Sequence, residues 1–143
     1  MNTKRIVIGT LAGGITMWLV GWLIWDLIFA DFFAANVGSA TGVHREPLLV
    51  WAIVLGSFSL AALVTLAVES QAGTSTILDG FKIGAIVGFL VWFGVDFIYY
   101  GYTNISNLTV TIVDPLLEIV RTGISGAVIA AVLGRFGNSS EGA

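Results

Sequence analysis

IVIGTLAGGITMWLVGWLIWDLIF, residues 6–29, is a long apolar run in which Asp26 is the only charged residue. At a rise of about 1.5 Å per residue, about 20 apolar residues cross the roughly 30 Å hydrocarbon core of a bilayer. The run is therefore predicted to be a transmembrane helix. Lys4 and Arg5 precede it, as they would precede the apolar region of a secretory signal. The run is longer than such a region, which favours a span that is retained.

Three more apolar stretches, residues 48–68, 81–100 and 115–135, are also long enough to span a membrane. Proline is favoured in the first turn of a helix and an acidic side chain at its N-cap. Glu46-Pro47 and Asp114-Pro115 are thus predicted to open the second and fourth spans. The tail, residues 137–143, is short and polar and is predicted to be disordered. The predicted fold class is all-α: a polytopic membrane protein, a four-transmembrane-helix bundle forming a single membrane domain over residues 1–143.

The composition agrees with this fold class and excludes several others. Hydrophobic residues make up 57% of the chain, charged residues 10%, and the mean hydropathy is +0.95. A soluble domain carries about a quarter charged residues. With no cysteine and one histidine, His44, the chain lacks the ligands of thiolate metal sites and iron–sulfur clusters. No metal, cofactor or catalytic residue is predicted, enzyme activity is disfavoured, and the scattered basic residues do not indicate nucleic-acid binding.

The basic residues predict how the chain is oriented. Lysine and arginine near the ends of spans are retained on the cytoplasmic side. The four that share one side of the predicted bundle are Lys4, Arg5, Lys82 and Arg135. Arg45 and Arg121 lie toward the other side, so we expect a multi-pass protein of the cell inner membrane with both termini in the cytoplasm.

Two short patterns occur twice in the chain. Trp-x-x-x-Asp is found at residues 22–26 and 92–96, and acid-Pro-Leu-Leu at residues 46–49 and 114–117. They predict a two-plus-two arrangement of similar helical hairpins, although matches this short also arise by chance. The pairs Gly9/Gly13 and Gly84/Gly88 permit close helix approach. The sequence leaves open whether they pack inside one bundle or against a second copy.

The repeated pattern also predicts where the polar residues lie. At 3.6 residues per turn, Trp18, Trp22 and Asp26 share one helix face. Carboxylates at membrane depth usually face the bundle interior. The predicted polar network or ion site is Asp26, Asp96, Glu118 and Arg121, and the predicted stripe for packing or an apolar ligand is Trp18, Trp22 and Trp92. A purely structural ion-pair network explains the same charged residues and remains an alternative.

Residues 31–43, DFFAANVGSATGV, closely followed by Arg45, resemble the first loop of small uncharacterised bacterial four-span inner-membrane proteins. The resemblance covers the first helix and its loop. It implies bacterial origin and a membrane location, but no activity.

Three functions are compatible with these observations. The leading expectation is a non-enzymatic accessory or interaction subunit whose partners are the lipid bilayer and either a second copy or another membrane protein. The first alternative is a small oligomeric transporter or channel, coupled to a cation or proton through the carboxylates. The second alternative is lipid or quinone binding at the tryptophan stripe.

Overall fold

The computed structural model describes residues 2–71 and 76–137, and these residues form a bundle of helices. In chain order the helices are α1 (Thr3–Gly21), a π-helix (Trp22–Ile28) that continues it, α2 (Ala30–Ala35), α3 (Val50–Ser70), α4 (Ile77–Tyr102) and α5 (Leu108–Gly137). Four helical segments are long and apolar enough to cross a membrane: Thr3–Ile28, Val50–Ser70, Ile77–Tyr102 and Leu108–Arg135. The described ranges contain no strand. The predicted all-α, four-helix membrane fold is confirmed, and the predicted disordered tail lies, beyond Gly137, outside the described residues.

Helix α5 is the centre of the bundle. It packs most extensively on α4, then on α1, and also contacts α3. Its buried positions recur every three or four residues, which puts them on a single face. This face carries Thr111, Pro115, Glu118, Thr122, Ser125, Ile129 and Leu133, and Gly123, Gly126 and Ala130 are buried beside it. The face that carries the hydrophobic core therefore also carries Glu118.

The glycine pairs pack inside the bundle, which answers the question the sequence left open. On α4, a Cβ at Gly84 or Gly88 would overlap Thr122 of α5. On α1, a Cβ at Gly9 would meet Thr65, and one at Gly13 would meet Ile129. Glycine is needed at these positions because neighbouring backbone or side chains occupy the space.

Two predicted helix starts are wrong. The Glu46–Pro47 peptide is cis and lies in a loop, and α3 begins only at Val50. Pro115 lies inside α5, so Asp114 is not an N-cap. The reason is that Asn107 supplies the cap earlier: its Oδ1 accepts a hydrogen bond from the Val110 N–H at 3.0 Å.

Helix α4 also begins before its predicted start at residue 81. Thr76 and Asp79 form a capping box, in which each side chain bonds the other residue's backbone N–H at 3.1 Å. The helix therefore begins at Ile77, between the predicted second and third spans.

The two halves of the chain form hairpins, α1 with α3 and α4 with α5, but they are not structurally equivalent. Only the first contains a π-helix, and the two acid-proline pairs occupy a loop in one half and a helix interior in the other. In addition, α1 packs on α5 far more extensively than α3 packs on α4. The repeated sequence patterns therefore do not correspond to an exact two-fold arrangement.

The connections of the two hairpins meet at one end of the bundle, which we call the loop end; the opposite end, at Thr3, Ser70, Ile77 and Gly137, is the terminus end. Backbone N–H groups of Gly38 and Ala40 donate to the carbonyls of Ile105 (2.9 Å) and Asn104 (3.0 Å). A Cβ at Gly38 would overlap the Asn104 carbonyl, so this approach requires glycine. At the loop end, two backbone hydrogen bonds thus join the connections of the two hairpins.

Candidate functional site

Two of the predicted site residues form an ion pair near the loop end. Arg121 Nη1 lies 3.2 Å from Glu118 Oε1, one turn away on α5. The side chain of Glu118 is 1% exposed and that of Arg121 is 13% exposed. A charged pair this deeply enclosed is held in an environment of low dielectric constant, where each charge strongly affects its neighbours.

Asp114 and Asp96 add two further carboxylates to this pair. Asp114 lies one turn before Glu118 on α5, and its Oδ1 accepts a hydrogen bond from Trp25 Nε1 at 2.6 Å. Asp96, on α4, faces the Asp114 carboxylate closely enough for the two groups to interact directly. The carboxylates therefore come from two helices, and a tryptophan from a third segment fixes one of them.

Asp114 and Trp25 are site residues that the sequence analysis did not select. Asp114 was predicted to be a helix cap, and Trp25 was not among the tryptophans of the stripe. A signal for Asp114 was present: Asp114, Glu118 and Arg121 follow the i, i+4, i+7 spacing of one helix face. It was missed because the helix was predicted to start at the proline after Asp114.

Asp26 does not join the network, contrary to its predicted inward position. The predicted face was the wrong one: the first span buries Met17, Gly21 and Ile24, whereas Trp18 and Trp22 of the predicted face are exposed. In an α-helical projection Asp26 lies opposite Met17 and therefore on the outer side. Trp25 is turned toward α5 while Asp26 is exposed, and Asp26 makes no hydrogen bond or ion pair with any described residue.

Several polar atoms of the site are buried without a hydrogen-bond partner among the described residues. They are Glu118 Oε2, Arg121 Nε, Asp96 Oδ2 and Trp92 Nε1. Buried polar groups in folded proteins are nearly always paired, so unpaired ones require an explanation such as a bound water, ion or proton. These four atoms include both acceptors and donors, and Trp92 precedes Asp96 by one turn on α4.

The site does not have the geometry of a metal centre. Within residues 2–71 and 76–137, no group of three or more histidine, cysteine or acidic side chains is placed to hold a metal ion. The three carboxylates are instead spread along two helices. Asp96 interacts with Asp114, and Glu118 interacts with Arg121.

Beside the network lies an open cavity of about 510 Å³ between the first span and the start of α3. The predicted stripe residues Trp18 and Trp22 line it together with Trp25, whereas Trp92 does not. Arg121 is its only basic lining residue, and its guanidinium carbon lies 5.2 Å from the centre of the Trp25 ring. The remaining lining residues are Met17, Gly21, Asp26, Leu48, Val50, Ile53 and Ser57. Arg121 thus separates a carboxylate network from a mostly apolar cavity.

A second arginine–glutamate pair lies at the terminus end. Arg5 donates to both carboxylate oxygens of Glu69 at 2.8–3.1 Å and to the Leu133 carbonyl at 3.1 Å. It thereby joins α1, α3 and α5. All three of its guanidinium nitrogens have acceptors, so the hydrogen bonds of this arginine serve to join helices.

No family model, curated protein or solved structure matches this chain. The geometry of the site is therefore the basis for a functional assignment.

Proposed function

We propose that this chain is a non-enzymatic, proton-binding component of a small proton-coupled transporter or channel. The observation that carries the proposal is an excess of carboxylates: among the described residues, Glu118 and Asp114 interact with the guanidinium of Arg121, and Asp96 faces Asp114. Two acidic groups therefore lack a cationic partner of their own. Carboxylates inside a membrane bundle are costly as uncompensated anions and mark proton and ion pathways.

A proton fits this site better than a metal cation does. A metal ion needs several oxygen ligands converging on one point, and the described carboxylates do not converge in this way. A proton needs only one unpaired oxygen. Glu118 Oε2 and Asp96 Oδ2 are two such oxygens, both buried and without a described partner.

The remaining features of the proposal concern the membrane and the assembly. By the distribution of lysine and arginine, the loop end faces the outside and both termini face the cytoplasm. Toward the terminus end the bundle interior is filled by apolar side chains, among them Met17, Val64, Ile129 and Leu133. A single copy therefore offers the proton a site near one face, and we expect a continuous path to be formed together with a second copy of the chain.

Proton flux into proteoliposomes tests this function. The purified chain is reconstituted around a trapped pH-sensitive dye, and the decay of an imposed pH gradient is recorded. We expect flux above that of protein-free vesicles, lost in Asp96→Asn and Glu118→Gln. Glu69→Gln is the matched control, since it alters the other glutamate paired with an arginine and should retain the flux.

The rival function, an accessory subunit, predicts a different result. In that case the wild-type vesicles would show no flux beyond the protein-free level, or flux that Glu118→Gln leaves unchanged. Either result would contradict proton transport by this chain and favour a role in packing against a partner.

A further inference from the structure

The cavity beside the network has the size and lining of a binding site for a membrane-soluble compound. Its volume of about 510 Å³ lies within the roughly 300–1,000 Å³ typical of ligand pockets. Three indole rings, those of Trp18, Trp22 and Trp25, come from consecutive turns of the first span and face the same space. Aromatic rings of this kind stack on flat ligands.

One polar group in this lining stands out by position and chemistry. Arg121 reaches the cavity from α5, held by Glu118 on one side and by the Trp25 ring on another. A guanidinium presents five N–H donors in a rigid plane, and the ion pair with Glu118 involves only one nitrogen of Arg121. Arg121 therefore has donors to spare and is fixed in place before a ligand arrives.

The charges around the cavity discriminate between two kinds of occupant. Two carboxylates of the network, Asp114 and Glu118, interact with Arg121 and compensate its positive charge even when one of them binds a proton, and the exposed Asp26 also lines the cavity. An anionic headgroup would meet a neutralised arginine and a negative rim. Neither feature disfavours a neutral compound with acceptor oxygens, because such a compound needs hydrogen-bond donors rather than net positive charge.

We propose that this cavity binds a quinone-class compound, a neutral flat ring with carbonyl oxygens, with the ring among Trp18, Trp22 and Trp25 and a carbonyl oxygen accepting from Arg121. This inference shares Arg121 with the proposed proton site, but the cavity wall also contains Ile53 and Ser57, which are not part of the carboxylate network, so variants of the wall test ligand binding separately from proton flux.

Two serines on α3 provide a matched pair of variants. Ser57 is 5% exposed and lines the cavity, whereas Ser59 is exposed on another face of the same helix. Each hydroxyl donates only to a backbone carbonyl four residues earlier on its own helix. Ser57→Phe therefore fills the cavity, and Ser59→Phe places the same ring toward lipid.

Binding is measured by titrating decylubiquinone into nanodiscs of zwitterionic lipid that contain the chain, with tryptophan fluorescence as the readout. We expect saturable quenching in the wild type and in Ser59→Phe. Ser57→Phe should weaken binding by about tenfold or more, which corresponds to a loss of about 1.4 kcal/mol. Adding phosphatidylglycerol should leave the affinity unchanged.

A photoreactive quinone analogue gives a second readout that needs no variant. We expect its crosslinks in the wild type on cavity residues of the first span and α3, such as Trp22 and Ile53. Crosslinks confined to other surfaces would overturn the proposal. So would equal quenching in Ser57→Phe and Ser59→Phe, non-saturable quenching in the wild type, or displacement of the quinone by phosphatidylglycerol, which would identify an anionic lipid as the occupant.

Discussion

Each end of this bundle holds an arginine–glutamate pair, and the two pairs are built differently. At the terminus end, Arg5 uses three nitrogens on Glu69 and the Leu133 carbonyl, and its side chain is 28% exposed. At the loop end, Arg121 contacts Glu118 through one nitrogen, and atoms on both partners are buried without a described hydrogen bond. The pair at the terminus end only joins helices. The pair at the loop end also keeps buried polar atoms that have no described hydrogen bond.

The surroundings of the two pairs reinforce this difference. Glu69 neutralises Arg5 within one contact, so no further acid is needed at the terminus end. Arg121 instead shares its charge with a region that also contains Asp96 and Asp114. An ion pair can be structural in either place. Among the described residues, the surplus of carboxylate acceptors that a bound proton would satisfy lies at the loop end.

The largest effect is expected from Arg121→Ala. The substitution leaves Glu118 as a buried carboxylate without its cation, a change that costs about 3–5 kcal/mol. We expect this loss of unfolding free energy, measured by reversible denaturation in mixed micelles, to be largest at alkaline pH. It should shrink at acidic pH, because a protonated Glu118 needs no cation. The double variant Arg121→Ala with Glu118→Leu should recover most of the stability, and a double variant as unstable as the single one would contradict this explanation.

A smaller loss of stability is expected from Glu69→Leu at the terminus end. The substitution removes a charge-assisted contact that joins α1 to α3, worth about 1.5–3 kcal/mol. The loss should stay below that of Arg121→Ala because the partly exposed Arg5 can still reach water and headgroups. Proton flux in vesicles should be unchanged. A loss of flux would mean that the two ends do not differ in function.

Trp25→Phe, at the loop end, is expected to lower the unfolding free energy by less than Glu69→Leu does. Phenylalanine keeps a ring beside Arg121 but removes the N–H that donates to Asp114, at a cost of about 1 kcal/mol. The control is Trp22→Phe, which alters an exposed tryptophan of the same π-helix and should change the unfolding free energy little. Equal effects of the two variants would argue against a specific bond between Trp25 and the network.

The smallest effect is expected from Gly21→Ala. The added Cβ would lie 3.5 Å from Arg121 Cδ, an ordinary van der Waals contact. Alanine also favours the helix, so the unfolding free energy should stay the same or rise by at most about 1 kcal/mol. Gly84→Ala is the matched control, in which the Cβ overlaps the Thr122 backbone and thermal stability should fall. A fall in Gly21→Ala as well would show that the region around Arg121 is packed as tightly as the interface of α4 and α5.

The sequence was sufficient to predict the four spans because membrane helices are identified by apolar length, a property of residues 6–29 that needs no tertiary information. It was sufficient, too, to select Glu118 and Arg121, since charged residues at membrane depth are few. Helix starts were harder to predict. Asn107 and Asp114 have similar chemistry, and either could cap the N-terminus of the fourth span. The structure shows that Asn107, the earlier of the two, is the cap.

The prediction for Asp26 was wrong for a different physical reason: the wrong face of the first span was expected to point inward. The predicted face carried Trp18, Trp22 and Asp26, but the structure buries Met17, Gly21 and Ile24, and Trp18 and Trp22 are 39% and 53% exposed. Around a helix of about 3.6 residues per turn, Asp26 lies opposite Met17 and therefore on the outer side. Tryptophans in a membrane helix do not by themselves indicate which face meets protein, because they are also common where a helix meets the membrane interface.

The most direct test of proton binding at the loop end is infrared difference spectroscopy of the chain in nanodiscs, recorded across a pH titration. A protonated carboxyl has a carbonyl stretching band separate from that of a carboxylate. We predict a band in the wild type that decreases as the pH rises, is altered or lost in Glu118→Gln, and persists in Glu69→Gln. A titration in which Glu118→Gln leaves the band unchanged, or in which Glu69→Gln removes it, would contradict the account.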